Sequence, residues 1–403
     1  MTELSWVRSP VGSPDRHWAT RKGVKSVLVL IPHIVAGNRL LDLLPLLEAD
    51  HRLQVVFTLA EPWESWRATD DFVNALGGIV LPWAQARRGE YDLVLAASQR
   101  GIDEVAGPVL LIPHGGGFGQ YRPWRPPGAG DGWRPQIGLE AGQLMREGRV
   151  RADSIVLVHD REMDVLAETC PRAVPAAVVA GDIALDRLTA SLPFRDHYRR
   201  GLGVPDDRRL VVVTSTWSDR SAYGRHPDLF ERVLDELPPD RFRVLGVLHP
   251  QIWSHHGAWQ IRSWLAGSLR AGLALLRPEG SWQAALIAAD HVIGDYGSVT
   301  GYASGIGKPV LLAVDGTQPL LPGTPGAVIA EKAPKWDPRR PLVPQLSEAE
   351  SPGLADRVRA SLSSRPGRAG SILRTEMYRL LGLAEPARRV PVSPVRLAEV
   401  LPC

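Results

Sequence analysis

Cysteine is scarce in this sequence, with only Cys170 and Cys403 among 403 residues. Two cysteines cannot build a disulfide framework or a metal site of several cysteines, which excludes the small disulfide-rich secreted proteins. Residues 1–23 lack the apolar core of a secretory signal, and no apolar run approaches the roughly 18 residues that a membrane span needs. We therefore expect a cytoplasmic protein, in which any membrane contact is peripheral and at the inner face of the membrane.

An excess of charge of one sign is also missing, because 47 Lys and Arg residues face 44 Asp and Glu residues, for a net charge of +3. The basic residues are almost all arginine and are dispersed along the chain, so we expect no nucleic-acid partner. A hydrophobic content of 44% with 23% charged residues is typical of globular proteins rather than disordered ones. The length predicts roughly two to three domains.

Short β-branched runs alternate with helical stretches along the chain, which predicts βαβ units and doubly wound parallel sheets of the α/β class. The predicted strands are 26–31, 53–58, 78–81, 93–96, 109–112, 155–158 and 177–180 in the first half, and 210–214, 242–248, 273–276, 291–294 and 309–313 in the second. We expect helices over 39–48 and over 356–381, the latter broken at Pro366-Gly367, with irregular chain over 316–352. The predicted domains are 1–194 and 205–385, each Rossmann-like, joined through a polar linker at 195–209 and followed by a tail, 386–403. Ligands of such folds bind at the carboxyl ends of the strands, in this case in a cleft between the two halves.

Three familiar motifs are incomplete. The His114–Gly117 run (HGGG) is not accompanied by a G-x-S-x-G nucleophile turn, and the same glycines do not complete G-x-G-x-x-G. No P-loop is present either. His249, His255 and His256 lie close in sequence without a carboxylate or cysteine beside them, so we expect no metal and no bound cofactor.

Two strand ends carry candidate functional residues in the order of the chain. His114 follows a predicted strand and precedes glycines that allow close approach of a ligand, so it is a candidate general base. The alternative is a flexible turn with a solvated histidine. Ser215 and Thr216 follow a buried strand and are candidates for hydrogen bonding to phosphate, with simple capping of the next element as the alternative.

Two further strand ends follow in the second half. His249 ends a strand before Pro250 and could donate to a diphosphate, or it could be a structural histidine. Asp295 ends a strand and is followed by a turn and a helix predicted from about Val299. A helix N-terminus with small residues such as Ser298 is a favourable seat for diphosphate, and an ordinary capped turn is the alternative.

In their order, these segments resemble the CDP-glycerol glycerophosphotransferase family, which includes teichoic acid polymerases and primases. The family pattern has a His-Gly pair, a G-x-P-R-x-D-x-L segment, a P-T-W-R segment, a strand ending in His-Pro, a T-D-Y-S-S segment and a later Lys-Pro. The corresponding segments here are His114-Gly115, Gly181–Leu188, Ser215–Ser218, His249-Pro250, Gly294–Ser298 and Lys308-Pro309. The resemblance covers residues 105–315 and implies a GT-B fold, with two Rossmann-like domains facing a cleft.

The sequence departs from the family pattern at several contact positions. The lysine that follows His-Gly is absent, and Ser218 stands where the arginine of P-T-W-R is expected, with Arg220 two residues later. Ile183-Ala184 replace the Pro-Arg pair, and Gly294 and Gly297 replace the threonine and first serine of T-D-Y-S-S. Each departure removes a possible contact with phosphate or acceptor.

The resemblance implies a transferase that moves a polyol phosphate from a CDP-linked donor to an acceptor hydroxyl, without a bound metal. In that case His114 is the base that deprotonates the acceptor, and His249 stabilises the diphosphate as the nucleotide leaves. The donor-binding residues implied are Ser215, Thr216, Arg220, Asp295, Ser298 and Val299.

Two alternatives stay open on the sequence alone. One is a GT-B glycosyltransferase that uses a UDP-linked or other nucleotide sugar. The other is a degenerate relative that binds a nucleotide without turnover. The acceptor, which could be lipid-linked, is not identified. The arginines at 357, 359, 365, 368, 374 and 379 could contact an anionic membrane surface, or they could form a solvated helix face.

Overall fold

A computed structural model describes residues 7, 9, 11, 20–60, 69–116, 120–124, 132–136, 138–314, 320–388, 390–398 and 400–401, and of 120–124 and 132–136 it describes the backbone alone. The strands are β1 (Lys25–Ile31), β2 (Leu53–Leu59), β3 (Ile79–Leu81), β4 (Leu93–Ala96), β5 (Val109–Leu111), β6 (Gln120–Trp124), β7 (Gly132–Gln136), β8 (Met145–Arg146), β9 (Arg149–Val150), β10 (Ser154–Leu157), β11 (Ala177–Val179), β12 (Arg209–Ser215), β13 (Phe242–Leu248), β14 (Ala274–Leu275), β15 (His291–Gly294) and β16 (Val310–Leu312). The strands of both large sheets lie within one or two residues of the predicted ones, because buried parallel strands are continuous apolar runs.

The helices are numbered in the order of the chain. They are α1 (Ile34–Leu41), α2 (Thr69–Asn74), α3 (Trp83–Ala86), α4 (Ala141–Leu144), α5 (Asp160–Thr169), α6 (Ile183–Ser191), α7 (Arg195–Gly201), α8 (Ala222–Arg225), α9 (Leu229–Glu236), α10 (Pro250–Trp264), α11 (Ala266–Arg270), α12 (Trp282–Ala288), α13 (Ser298–Gly305), α14 (Pro325–Lys332), α15 (Leu342–Glu348), α16 (Leu354–Leu362) and α17 (Ala369–Leu381). Short 3₁₀ turns occupy Leu44–Leu47, Ile102–Glu104, Pro171–Ala176 and Leu192–Phe194. None of the helices within the described ranges is long and apolar enough to cross a membrane.

The chain divides into two compact units. The first comprises Met1–His114, Gly138–Asp186 and Arg365–Ser393, and the second comprises Gly115–Ile137, Arg187–Ser364 and Pro394–Cys403. The predicted boundaries, at 194, 205 and 385, assumed continuous segments. The division observed is discontinuous, because the chain returns to the first unit near its end.

The first unit contains a sheet of seven parallel strands in the order β11-β10-β5-β4-β1-β2-β3. In its core, apolar side chains of the strands pack against one face of α17, which contributes Leu373, Met377 and Leu381. The Asp186 carboxylate accepts the N–H groups of Gly367 (2.6 Å) and Ala369 (2.9 Å), which holds the start of α17. These contacts explain why this late helix belongs to the first unit.

The second unit contains a sheet of five parallel strands in the order β14-β13-β12-β15-β16. Both sheets start from a central strand, extend to one side and then restart on the other, which is the doubly wound arrangement predicted from the sequence. The point where the direction reverses lies between β1 and β4 in the first sheet and between β12 and β15 in the second. Ligands of this fold class bind at such points.

Two local predictions were wrong. The helix expected over 39–48 begins earlier, as α1, and ends at Leu41, because Pro45 cannot continue an α-helix and a 3₁₀ turn follows. The stretch expected to be irregular over 316–352 contains α14 and α15, in which prolines stand at or just before the first turn, where they are tolerated. The polar stretch taken as a linker contains α7, whose Arg199 pairs with Asp290 at 2.9 Å. The break at 363–368 between α16 and α17 confirms the prediction at Pro366-Gly367.

Candidate functional site

The carboxyl ends of β12 and β15 meet at the reversal point of the second sheet, and Thr216 and Asp295 follow these two strands. The Asp295 side chain is 3% exposed. Its Oδ2 accepts hydrogen bonds from the Thr216 backbone N–H (2.8 Å), the Thr216 hydroxyl (2.8 Å) and the Ala222 N–H (3.1 Å), and its Oδ1 accepts from the Gly297 N–H (3.0 Å). One buried carboxylate therefore joins the turn after β12, the start of α8 and the turn before α13.

The turn between β15 and α13 packs closely against Thr216. A side chain on Gly297 would approach Thr216 Cγ2 to 2.5 Å, so the glycine is required here. This contact gives a physical reason for the departure from the T-D-Y-S-S pattern at that position. Helix α13 begins at Ser298, one residue before the predicted start, and the first-turn N–H groups of a helix, here those from Ser298 and Val299 onward, have no partner within the helix. Ser298 is exposed.

Ser215 and Arg220 lie on either side of Thr216 and differ in burial. The Ser215 hydroxyl is 2% exposed, donates to the Thr216 carbonyl oxygen (2.9 Å) and accepts from the Tyr223 N–H (3.0 Å). Through these hydrogen bonds Ser215 stabilises the turn after β12. Arg220 is half-buried, and its backbone N–H donates to Ser218 Oγ (3.2 Å).

His249 follows β13, the strand next to β12 on the other side from β15, and its backbone N–H donates to the Ser215 carbonyl oxygen (3.0 Å). The ring is half-buried and caps α10, because Nδ1 accepts the Gln251 N–H at 3.1 Å. In the neutral imidazole the proton must then be on Nε2. His249 is therefore oriented so that Nε2 is a hydrogen-bond donor.

The glycine of the His-Gly pair belongs to the second unit. Gly115 has a positive φ of 93°, and its carbonyl oxygen accepts from the Tyr302 hydroxyl at 3.2 Å. A side chain on Gly116 would come within 3.2 Å of Ser298 Cβ. Within this unit the structure thus brings together Thr216, Asp295, His249 and Ser298 with the glycines after His114. Gly117, Phe118 and Gly119 lie outside the described residues.

His114 is exposed at the end of the first unit's β5. Its Nδ1 lies 2.6 Å from the carbonyl oxygen of Ala97, which follows the adjacent strand β4. A carbonyl oxygen only accepts, so Nδ1 carries the proton, and in the neutral ring Nε2 is the nitrogen with acceptor character. The hydrogen bonding of His114 is thus the reverse of that of His249, and it suits a proton acceptor.

His33 is a residue that the sequence reasoning missed. It follows β1, is 7% exposed, and its ring lies edge-on to that of His114, with 5.0 Å between centroids and 76° between planes. The signal was present in the sequence: Leu-Ile-Pro-His occurs twice, at 30–33 and at 111–114. In each case an apolar strand ends at a proline and the histidine lies at the carboxyl edge of the sheet.

Burial displaces the pKa of a carboxylate in the first unit and of a lysine in the second. In the first unit, burial raises the pKa of Asp186 to about 6, which the N–H groups of Gly367 and Ala369 oppose. In the second unit, burial lowers the pKa of Lys308 to about 8, while its Nζ donates to the carbonyl oxygens of Ile287 (2.9 Å) and Ala289 (2.8 Å). Lys308, of the Lys-Pro pair, therefore anchors the chain before β16.

Several C-terminal arginines that could have contacted a membrane form ion pairs within the chain. These pairs are Arg359 with Asp356 (3.1 Å), Arg365 with Asp160 (2.6 Å), Arg374 with Glu385 (3.1 Å) and Arg379 with Glu376 (2.6 Å). Among the described residues, no group of three or more His, Cys, Asp or Glu side chains could hold a metal ion.

Comparison with solved structures finds wall teichoic acid polymerase TagF, with a TM-score of 0.59 and 13% identity over 89% of each chain. A variant of TagF soaked with CDPG for 15 minutes gives a TM-score of 0.60 and 12% identity over 90% of each chain. The chain has a GT-B fold. At so low a sequence identity, the structural similarity establishes the fold alone. That fold agrees with the one that the resemblance of the ordered motifs implies. No family model matches the chain, and no curated protein matches its sequence.

Proposed function

We propose that this chain is a GT-B transferase that moves a polyol phosphate from a CDP-linked donor to an acceptor hydroxyl. The observation that carries the proposal is the opposite hydrogen bonding of the two motif histidines. His114 donates through Nδ1 to Ala97, so the lone pair of its neutral ring is on Nε2, whereas His249 accepts through Nδ1 from Gln251, so the proton of its neutral ring is on Nε2. A reaction that removes a proton from a nucleophile and stabilises an anionic leaving group can use one histidine of each kind.

In the proposed reaction the acceptor oxygen attacks the phosphorus that carries the polyol. His114 Nε2 takes the hydroxyl proton as the new P–O bond forms. The bridging P–O bond of the diphosphate breaks, and CMP leaves with the bonding electron pair. His249 Nε2–H donates to the phosphate oxygen on which this negative charge develops.

The donor diphosphate is proposed to bind at the reversal point of the second sheet. The exposed Ser298 hydroxyl and the first-turn N–H groups from Ser298 and Val299 offer hydrogen bonds to phosphate oxygens there. The Thr216 hydroxyl donates to Asp295, so to contact phosphate it must exchange that hydrogen bond for one to a phosphate oxygen. Arg220 is proposed as a further phosphate contact. Asp295 and Ser215 act by holding this turn, because their oxygens are engaged with backbone N–H groups.

The first experiment measures the melting temperature of the protein with CDP, UDP and ADP, each at millimolar concentration. A ligand that binds only the folded state raises the melting temperature according to its affinity. We expect CDP to give the largest rise. Equal rises with all three nucleotides, or none with any, would contradict the assignment of the donor.

The second experiment identifies the by-product when the protein is incubated with CDP-glycerol or nucleotide sugars and a panel of hydroxyl acceptors. Release of CMP supports phosphotransfer. Release of a nucleoside diphosphate would instead indicate the glycosyltransferase alternative, since the bond broken is then on the sugar carbon. Binding of nucleotide with no product from any acceptor would favour the degenerate relative.

A further inference from the structure

Two copies of the same tripeptide put two imidazoles side by side in the first unit. The tripeptide Ile-Pro-His lies at the end of β1 (residues 31–33) and directly after β5 (residues 112–114), and β4 lies between these strands in the sheet. A proline lacks the N–H that would continue the ladder. Leu30 of β1 and Leu111 of β5 are both paired with Ala96 of β4, so the two segments leave the sheet at the same level. This places His33 and His114 with their ring centroids 5.0 Å apart.

The ring of His33 is fixed by the helix that follows it. His33 is the N-cap of α1, where its Nδ1 accepts the Ala36 N–H at 3.2 Å. The side chain is 7% exposed, so packing also limits its movement. Because Nδ1 is occupied as an acceptor, the neutral ring carries its proton on Nε2, the reverse of the tautomer of His114.

We propose that His33 is a positioning residue for His114. The capped His33 ring packs edge-on against the exposed His114 ring and keeps it in the rotamer in which Nδ1 donates to Ala97. In that rotamer Nε2 stays the proton acceptor. This inference rests on the proposed function, since it assigns to His33 the orientation of the base used there.

The test separates the two parts of the His33 side chain by substitution. Asparagine is a good N-cap but has no ring, whereas phenylalanine has a ring but no acceptor for the Ala36 N–H. We expect His33→Asn to retain the melting temperature and to lower kcat about 10- to 100-fold with KM unchanged, because a small displacement of a catalytic group has effects of that order. We expect His33→Phe to lower the melting temperature and to keep a kcat closer to that of the parent protein. A kcat equal to the parent value in His33→Asn would overturn the inference.

A matched control is available in the same unit. His159 is the N-cap of α5, and its Nδ1 accepts the Arg161 N–H at 3.1 Å. His159→Asn makes the same exchange of a capping histidine, and we expect it to leave kcat unchanged. An equal loss of kcat in His159→Asn and His33→Asn would mean that the effect is general to histidine caps, and it would overturn the positioning role.

A second readout does not depend on turnover. Imidazole ¹⁵N NMR of the full chain reports which ring nitrogen of His114 carries the proton, and we expect Nδ1 in the parent protein. In His33→Asn we expect a mixture of tautomers, and an unchanged His114 spectrum would overturn the inference. A fully active His114→Ala variant would contradict the proposed function alone, because the NMR result would still report on the contact between the rings.

Discussion

The strand-end side chains at the carboxyl edges of the two sheets differ in whether they accept or donate hydrogen bonds. At the edge of the first sheet, His114 Nδ1 donates to a backbone carbonyl oxygen, so Nε2 of the neutral ring is an acceptor. At the edge of the second, the buried Asp295 carboxylate holds the turns, and His249, the Ser298 hydroxyl and the helical N–H groups are donors. Strand order therefore determines which side chains meet at an edge, whereas the partner of each side chain determines whether it donates or accepts.

Of the changes predicted here, loss of the proposed base should have the largest effect on kcat. His114→Ala removes the only group of the first edge proposed to take a proton, so we expect kcat to fall about 10³- to 10⁴-fold. The melting temperature should change little, because the ring is exposed. Steady-state kinetics measures the first, and a thermal melt the second. His51→Ala, an exposed histidine before β2 at the other end of the sheet, is the control, and it should keep full activity.

Loss of the proposed donor at the second edge should have the next largest effect. His249→Asn keeps an acceptor for the Gln251 N–H and so should keep the start of α10, but it lacks Nε2–H. We expect kcat to fall about 10²- to 10³-fold, as for removal of one donor to a developing anion. Because glutamine places an amide N–H near the position of Nε2, His249→Gln should recover part of this loss. Equal activities for the Asn and Gln variants would argue against a donor role.

Two carboxylates at opposite ends of β15 allow stability to be separated from binding. In Asp295→Asn an amide NH₂ would face backbone N–H groups, at a cost of about 2 to 3 kcal/mol in the free energy of unfolding. We expect CDP affinity to fall as well, because the turns around Thr216 and Gly297 lose their common partner. Denaturant unfolding and calorimetric titration with CDP measure the two effects.

Asp290 provides the control for that experiment. It precedes β15, pairs with Arg195 (2.7 Å) and Arg199 (2.9 Å) and accepts the Leu210 N–H (2.8 Å). Asp290→Asn should destabilise the protein while leaving the affinity of the folded state for CDP unchanged. Unchanged CDP affinity in Asp295→Asn would contradict the donor site proposed here.

The smallest effect should be a difference in how the two units respond to pH. The folded chain holds the Asp186 proton up to about pH 6, whereas the unfolded chain releases it near 3.8, so this group lowers the free energy of unfolding as pH rises through that window. Lys308 loses its proton near pH 8 when folded but near 10.5 when unfolded, so it raises the free energy of unfolding as pH rises through that higher window.

Each of these two groups should therefore affect the free energy of unfolding in its own pH range. Asp186→Asn should remove up to about 2 to 3 kcal/mol of the fall between pH 4 and pH 6, and Lys308→Met should remove a rise of similar size between pH 8 and pH 10.5. Denaturant unfolding at a series of pH values measures both. If either variant altered the free energy of unfolding in the pH range assigned to the other residue, the assignment of these groups would be wrong.

Much of the fold could be predicted because buried segments have a recognisable local sequence pattern. Strands buried on both faces, such as β1 and β13, are uninterrupted apolar runs, and turn residues mark their ends. The order of the candidate residues along the chain predicted which strand ends carry polar groups. The contacts of Asp295 could not be predicted, because it meets Thr216 and Ala222, which precede it by 79 and 73 residues.

The α/β class, the strand positions and the strand-end candidates could be predicted, since each depends on residues close along the chain. The tertiary structure assigns α17 to the first unit, because packing against the strands is not encoded in a helical period. It also decided the tautomers of His114 and His249, which depend on whether Nδ1 meets a carbonyl oxygen or an N–H group. The pairing of His33 with His114 depends on strand order, which brings together two identical tripeptides 81 residues apart in the sequence (114 minus 33).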